Sequence, residues 1–321
     1  MPGHSQSVMN KAISRYQPDK VFSAVSFLSA LMVFAVLLGL ILSLLSGSQS
    51  ALSTFGLSFV YRDVWDPIHG EFGAAAAIYG TLVSAFIACL IAVPLSLGIA
   101  VFLSELAPRW VSAPVGKAIE LLAAIPSIIF GMWGLFVFCP WFSDHFQMWA
   151  GEHLAQWPLI GPLFNGPPIG IGLLSAGIIL ALMILPIITS LTRDALASIP
   201  NILRETAYGI GANPFEVITK VLLPSVRRAV LSACILGLGR ALGETMAVTF
   251  VIGGANRIQA SLFMPATSIA STIAQQFNEA TQPIHIASLL GLGVLLFVIT
   301  LLVMLIANKM LAANKMGGVK K

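Results

Sequence analysis

Charge is what this sequence has least of. Of 321 residues, Lys and Arg supply 17 and Asp and Glu 13, or 9% of the chain, against about a quarter in soluble proteins. So few ionic groups cannot cover the surface of a water-soluble protein of this size. Cysteine is scarce too. Cys89, Cys139 and Cys234 each fall inside an apolar run and show no metal-ligand spacing. They are read as small buried hydrophobes rather than as a disulfide framework or a metal site. No lysine is followed by Ser or Thr, so the chain lacks the Gly-Lys-Ser/Thr of a nucleotide-binding P-loop. A His-Glu-x-x-His pair and a nucleophile elbow are also missing, which leaves Glu244 with His285 or His153 unsupported as the acid and base of an intramembrane enzyme. These absences exclude a soluble domain, a disordered chain, a coiled coil and a nucleic-acid-binding domain.

What is present in quantity is apolar: 57% of residues, with a mean hydropathy of +0.92. The bilayer core is roughly 30 Å thick, so a spanning helix needs about 20 apolar residues. Stretches of that length, charge-free except for Arg240 and Glu244 in the fifth, place spans at 21–46, 76–103, 121–143, 169–192, 229–256 and 286–308. The expectation is an all-α, six-span integral membrane protein with both termini on one side. The first apolar run is too long for a signal peptide and long enough to span.

The basic residues orient it. Lys11, Arg15, Lys20, Arg109, Lys117, Arg193, Arg204, Lys220, Arg227, Arg228, Lys309, Lys315, Lys320 and Lys321 fall on one side, and only Arg62 and Arg257 on the other. Under the positive-inside rule both termini are cytoplasmic, with an inner tail at 1–20 and another at 309–321. The outer connections are aromatic, with Trp65 in the first and Trp141, Trp149 and Trp157 around 142–168. Tryptophan at such positions anchors at headgroup level, and the same loops offer a docking surface. Ile269, Ile273 and Phe277 repeat at i, i+4, i+8, which predicts a short helix lying on the membrane or against the spans. Pro94, Pro126 and Pro186 are expected to break or kink spans. His285 is read as an interfacial polar residue at the outer end of the sixth span.

Two constellations carry functional information. The first is the inner loop at about 193–228, with Glu205-Thr206-Ala207-Tyr208-Gly209-Ile210-Gly211 followed by Val221-Leu222-Leu223-Pro224. It reads as a short helix, a tight turn and a second helix entering the next span. Its small residues Ala207, Gly209 and Gly211 would let another backbone come close.

The second is Gly237-Leu238-Gly239-Arg240-Ala241-Leu242-Gly243-Glu244-Thr245 in the fifth span. Arg240 and Glu244, four apart, are expected on one helical face. Charges at this depth normally face a bundle interior or a wet cavity, although a self-neutralising pair that fixes helix packing is the alternative. Arg offers a planar fork for an oxyanion. A glutamate beside it accepts a hydrogen bond from a protonated phosphate and repels unprotonated sulfate.

The inner loop resembles the EAA loop of ABC-importer permeases: Glu-Ala-Ala, three residues, Gly, nine residues, Ile-x-Leu-Pro. Thr206 replaces the first alanine and Val221 the isoleucine. The wider chain, from about Phe59 to Ala307, resembles the permeases of phosphate (Pst) importers. It shares Ile78-Tyr79-Gly80-Thr81-Leu82, Glu105-Leu106-Ala107-Pro108, Glu120-Leu121-Leu122-Ala123-Ala124-Ile125-Pro126-Ser127 and Gly239 to Ala247. The resemblance implies a type I importer (MetI-like) permease fold with its core at 75–308, in the bacterial inner membrane. It implies partners: a second, PstA-like permease, two PstB-like ATPase subunits and a periplasmic PstS-like phosphate-binding protein, all around a lipid bilayer. It implies no cofactor in this chain, ATP and Mg belonging to the ATPase. Glu205, Ala207, Tyr208, Gly211, Leu223 and Pro224 would couple to that ATPase, and Arg240 and Glu244 would serve phosphate passage. A permease for another oxyanion, such as sulfate or molybdate, is the nearest rival. A proton-coupled secondary transporter would explain the intramembrane Glu but not the EAA spacing.

Overall fold

A computed structural model describes residues 17–158 and 160–313 of the chain. Lys11, Arg15, Lys315, Lys320 and Lys321, with most of both expected tails, lie outside the described residues. Among those described, six helices are long and apolar enough to cross a membrane: Lys20–Phe55, Ala75–Leu106, Ser127–His153, Leu173–Ala197, Pro214–Gly243 and Pro283–Lys309. The named elements are α1 (Gln17–Phe55), α2 (Ala75–Val101, extended by a wide turn to Leu106), α3 (Arg109–Ala124), α4 (Ser127–Trp133, continued to His153), α5 (Leu173–Ala197), α6 (Asn201–Gly209), α7 (Leu223–Gly243), α8 (Met246–Val251), α9 (Ile269–Gln276) and α10 (Pro283–Ala313).

The core is a seam between α2 and α5. Along α2, Ser84, Ala88, Ala92, Ser96 and Ala100 recur every fourth residue, and all are buried. That spacing makes one ridge of a helix, and small side chains on it let two backbones approach closely. The partner face of α5 brings Leu180, Ile184 and Ile188, also buried. Ser96 Oγ donates to the Leu185 carbonyl at 3.1 Å, tying the two helices through a polar bond inside the apolar seam. α7 packs mainly against α5, through Val226, Val230, Ala233 and Gly237, and also touches α2. α1 packs on α10, and its first half presents Val21, Phe22, Phe27 and Met32 outward, the surface a lipid-facing helix needs.

The structure refines three sequence expectations. The third span starts at Ser127 rather than Leu121 and runs on to His153. Pro126 is responsible: it forces Ile125 into an extended conformation, so α3 stops at Ala124 and α4 begins afresh after the proline. Residues 109–124 are therefore a separate inner helix, packed on α5 through buried Gly116 and Ile119. Pro126 thus breaks the helix as expected, whereas Pro94 and Pro186 sit inside helices that continue through them. His285, three residues into the sixth span, is buried among protein side chains rather than presented outward. It is 5% exposed, stacks on Phe72 at 5.1 Å and lies 3.1 Å from Gln276 Oε1, which also accepts from Trp65 Nε1 at 2.6 Å.

The end of the bundle away from α6 is closed by loops. A two-stranded hairpin pairs Trp65 with Phe72 and Asp66 with Glu71. α9 starts on a capping box, Ser268 Oγ accepting from Ser271 N at 3.1 Å and Ser271 Oγ from Ser268 N at 2.9 Å. Its Ile269 is buried and Ile273 half-buried, so the stripe faces the spans, while Phe277 is exposed just past its end. Gly80 lies so close to the Thr267 carbonyl that a Cβ there would overlap it.

The seam generates a stability prediction. Ala92→Leu adds three carbons where α2 meets α5 and should cost about 1–3 kcal/mol by overpacking. Leu90→Ala, at a position 64% exposed, should stay within about 0.5 kcal/mol. Thermal unfolding in detergent checks both; equal melting temperatures would remove the seam from its central place.

Candidate functional site

The inner loop folds as its spacing predicts: α6, a turn at 210–213, and a helix from Pro214 that merges into α7. The turn is a Schellman closure. Gly211 has φ +89, its N–H donates to the Tyr208 carbonyl at 2.9 Å, and Ala212 N–H donates to the Ala207 carbonyl at 3.1 Å. Those bonds satisfy the last carbonyls of α6, and a left-handed residue is required between them. The EAA spacing is thereby explained in part: the glycine stands four residues after Ala207 because that is where the helix cap falls. The next helix starts on a capping box, with Asn213 Oδ1 accepting from Glu216 N at 2.9 Å and Glu216 Oε2 accepting from Asn213 N at 3.2 Å.

The six loop residues singled out by sequence do not form one patch. Glu205, Tyr208 and Gly211 are exposed on α6 and its turn. Ala207 is instead buried, packed with Leu196, Val217 and Leu222, so it holds the loop together rather than offering itself to another backbone. Leu223 and Pro224 begin α7, about 16 Å of helix beyond the turn. Four exposed apolar residues were given no role by the sequence reading: Ile202, Leu203, Phe215 and Ile210, the last 83% exposed. Their signal was present, as large apolar groups in a polar inner loop.

The sequence reading also passed over a pairing. Glu105, in the wide turn ending α2, accepts from Arg204 Nη2 at 2.8 Å and Nε at 3.2 Å. The same guanidinium donates to the Leu196 carbonyl at 2.9 Å and the Ile199 carbonyl at 2.8 Å. The Glu105 carboxylate raises the Arg204 pKa above its ordinary value. With the partners 99 positions apart, no local spacing reveals the pair.

The second constellation is rearranged relative to expectation. α7 ends at Gly243, Glu244 is extended (φ −71, ψ 127), and α8 starts only at Met246. Arg240 and Glu244 are therefore not on one continuous helical face, which corrects the i, i+4 reading. Among the described residues no ion pair or hydrogen bond joins them. Arg240 lies about 18 Å along the helix from Arg228, the last basic residue of the inner loop, which puts it past the middle of a core roughly 30 Å thick. It is exposed, on a stripe with Ser225, Ala229, Ser232, Leu236 and Gly243, the face that α5, α2 and α10 leave uncovered. A lipid-facing stripe carries large apolar residues, as α1 does. This one is small and polar apart from Leu236, the composition expected beside another helix or a wet path. Arg240 also sits in the last turn of α7, where free carbonyls favour a cation.

Six spanning-length helices define a multi-pass membrane protein. The family described as "Binding-protein-dependent transport system inner membrane component" matches residues 92–312, and the chain belongs to that family. The chain is 51% identical to the phosphate transport system permease protein PstC of Mesorhizobium japonicum, over 91% of this chain and 90% of that protein. It is equally identical to PstC of Pasteurella multocida, over 87% of each. Among solved structures, a methionine ABC transporter chain covers 74% of this chain and 94% of its own at TM-score 0.54. A chain of a bacterial alginate ABC transporter covers 92% and 96% at TM-score 0.55. Both are 19% identical, and they show the MetI-like fold alone.

The cap makes a local prediction. Nothing lies within 4 Å of a Cβ built on Gly211, so Gly211→Val suffers only the left-handed backbone cost, about 1–2 kcal/mol. Amide exchange at 211 and 212 should quicken about tenfold while membrane insertion is unchanged. Unaltered protection would remove the glycine from its capping role.

Proposed function

We propose that this chain is a permease subunit of an ATP-driven ABC importer that moves inorganic phosphate across the cytoplasmic membrane. The observation that carries the reading is Arg240. It is an arginine with no ion-pair partner among the described residues, on the uncovered small-residue face of a spanning helix, in a chain half identical to two phosphate permeases over about nine-tenths of its length. An exposed guanidinium fork at that depth suits a tetrahedral oxyanion in a desolvated path. Glu244, just past the break, supplies an acceptor for the proton that phosphate carries near neutral pH and sulfate lacks.

The remaining assignments follow from this reading. Both termini and the α6 turn are cytoplasmic, as the basic residues favour. The exposed residues Glu205, Tyr208 and Gly211, with Ile202, Ile210 and Phe215, form the surface for an ATPase subunit, which brings ATP and Mg. The chain itself takes no cofactor. A second permease covers the open face of α7, and a periplasmic phosphate-binding protein meets the outer loops. Leu223 and Pro224 start the helix that carries the loop's motion into the membrane.

The test is radiolabelled phosphate uptake in proteoliposomes. They hold the chain with its partner permease and ATPase, with binding protein outside and ATP inside. Glu244→Gln should lower uptake or erode the preference for phosphate over sulfate about tenfold. Uptake and selectivity both at wild-type level would demote the glutamate to a packing role. Arg240→Lys keeps the charge and loses the fork, so uptake should fall with the complex still assembled. Wild-type uptake in that variant would mean that a point charge suffices. A wild-type complex that is intact yet moves no phosphate would turn the assignment to another oxyanion.

A further inference from the structure

α6 is attached to the rest of the chain by very little. Of its nine residues, Asn201, Ile202, Leu203, Glu205, Thr206, Tyr208 and Gly209 are exposed, and only Ala207 is buried. One methyl group cannot transmit a lateral push by packing. The other inward residue is Arg204, one turn before Ala207, and it grips two other elements at once. Its Nε and Nη2 take the Glu105 carboxylate at the end of α2, and its Nη1 and Nη2 take the Ile199 and Leu196 carbonyls at the end of α5. The pair is well enclosed, with side chains 20% and 12% exposed. A two-pronged, charge-assisted contact of this kind is short and directional, and it resists shear as an apolar contact does not. Removing either partner leaves a partly desolvated charge unpaired.

We propose that Glu105 and Arg204 are positioning residues that transmit displacement of α6 to α2 and α5. α2 and α5 are locked to each other along the small-residue seam, so a push delivered at α6 moves them as one body. The α7 side of the loop has its own apolar link, through Val217, Leu222 and Val226 packed on Leu196 and Ile199. The ion pair therefore serves the branch of the loop that packing serves least. The inference rests on α6 being the helix that receives the ATPase, and it adds the route by which that motion leaves the loop.

The complete transporter in proteoliposomes tests it, with Glu105→Gln, Arg204→Lys and Glu105→Asp beside wild type. ATPase co-purification, ATP hydrolysis without binding protein, and phosphate moved per ATP hydrolysed are read together. Glu105→Gln and Arg204→Lys should keep the first two and lose the third at least tenfold, while Glu105→Asp, which keeps the charge, should recover part of it. A phosphate-to-ATP ratio at wild-type level in both variants overturns the proposal. So does a loss that only tracks failed co-purification or a lowered melting temperature, since the pair would then serve the fold alone. A second readout does not depend on substrate identity. Spin labels at Ser104 and Ile202 should hold one separation with and without nucleotide in wild type, and that separation should broaden in Glu105→Gln. A wild-type separation that changes with nucleotide overturns the rigid linkage even if the transported ion proves not to be phosphate.

Discussion

The structure depends on the closeness of α2 to α5. Membrane helices gain little from the hydrophobic effect against each other, so their association rests on van der Waals fit and scattered polar bonds. Ser84, Ala88, Ala92, Ser96 and Ala100 supply that fit by being small at every fourth position, and Ser96 adds a bond to the Leu185 carbonyl. With the two backbones fixed, α7 has a firm surface in α5, and its opposite face is left free. That free face holds Arg240. A buried seam of alanines and serines and an exposed stripe ending in arginine are thus two sides of one packing arrangement.

Helices that cross lipid must satisfy their own backbone, and a break inside one needs protein or water to take over the freed groups. The gap at Glu244 and Thr245 is such a break. It follows Gly243 and is flanked by the buried Leu242, Ala247 and Val248, so it is lined by protein on one side and open on the other. Arg240 gains from the carbonyls of the last turn of α7. An intact helix would have given Arg240 and Glu244 a shared face and an easy route to neutralise each other. Ending the helix between them leaves the arginine without that partner and makes its charge available to something else.

Much of this was legible in the sequence, and the failures have physical causes. Six spans emerge from apolar length alone, because lipid demands it. The helix–turn–helix of the inner loop emerges from Gly211 and Pro214, since few residues other than glycine suit the cap and proline suits the start. The third span was misplaced because hydropathy rises before Pro126, and a lipid-length criterion does not notice that α3 is a separate amphipathic helix. The break at Gly243 was invisible because Ala241, Leu242, Met246 and Ala247 continue a helical pattern across it. The burial of His285 was hidden for a different reason. Its neighbours Trp65, Phe72 and Gln276 come from distant segments, and only their assembly makes a histidine at the end of a span a buried one.

The geometry of α7 limits how the two constellations communicate. From Asn213 to Arg240 the chain is helical throughout, about 40 Å at the ordinary rise. The turn that closes on Gly211 is at one end and the arginine at the other. A continuous helix that pivots about its contact with α5 converts a small displacement at the inner turn into an opposite one beside Arg240. No chain of intervening side chains is needed for that. The other branch, α6 to α2 through Glu105 and Arg204, is discontinuous and has to be held by an ion pair. Two routes of unequal stiffness therefore leave one loop, one to α2 and one to α7, and both helices pack on α5. Relative motion of α2 and α7 about α5 is the movement such a layout permits, and the open face of α7 is where that movement would be felt.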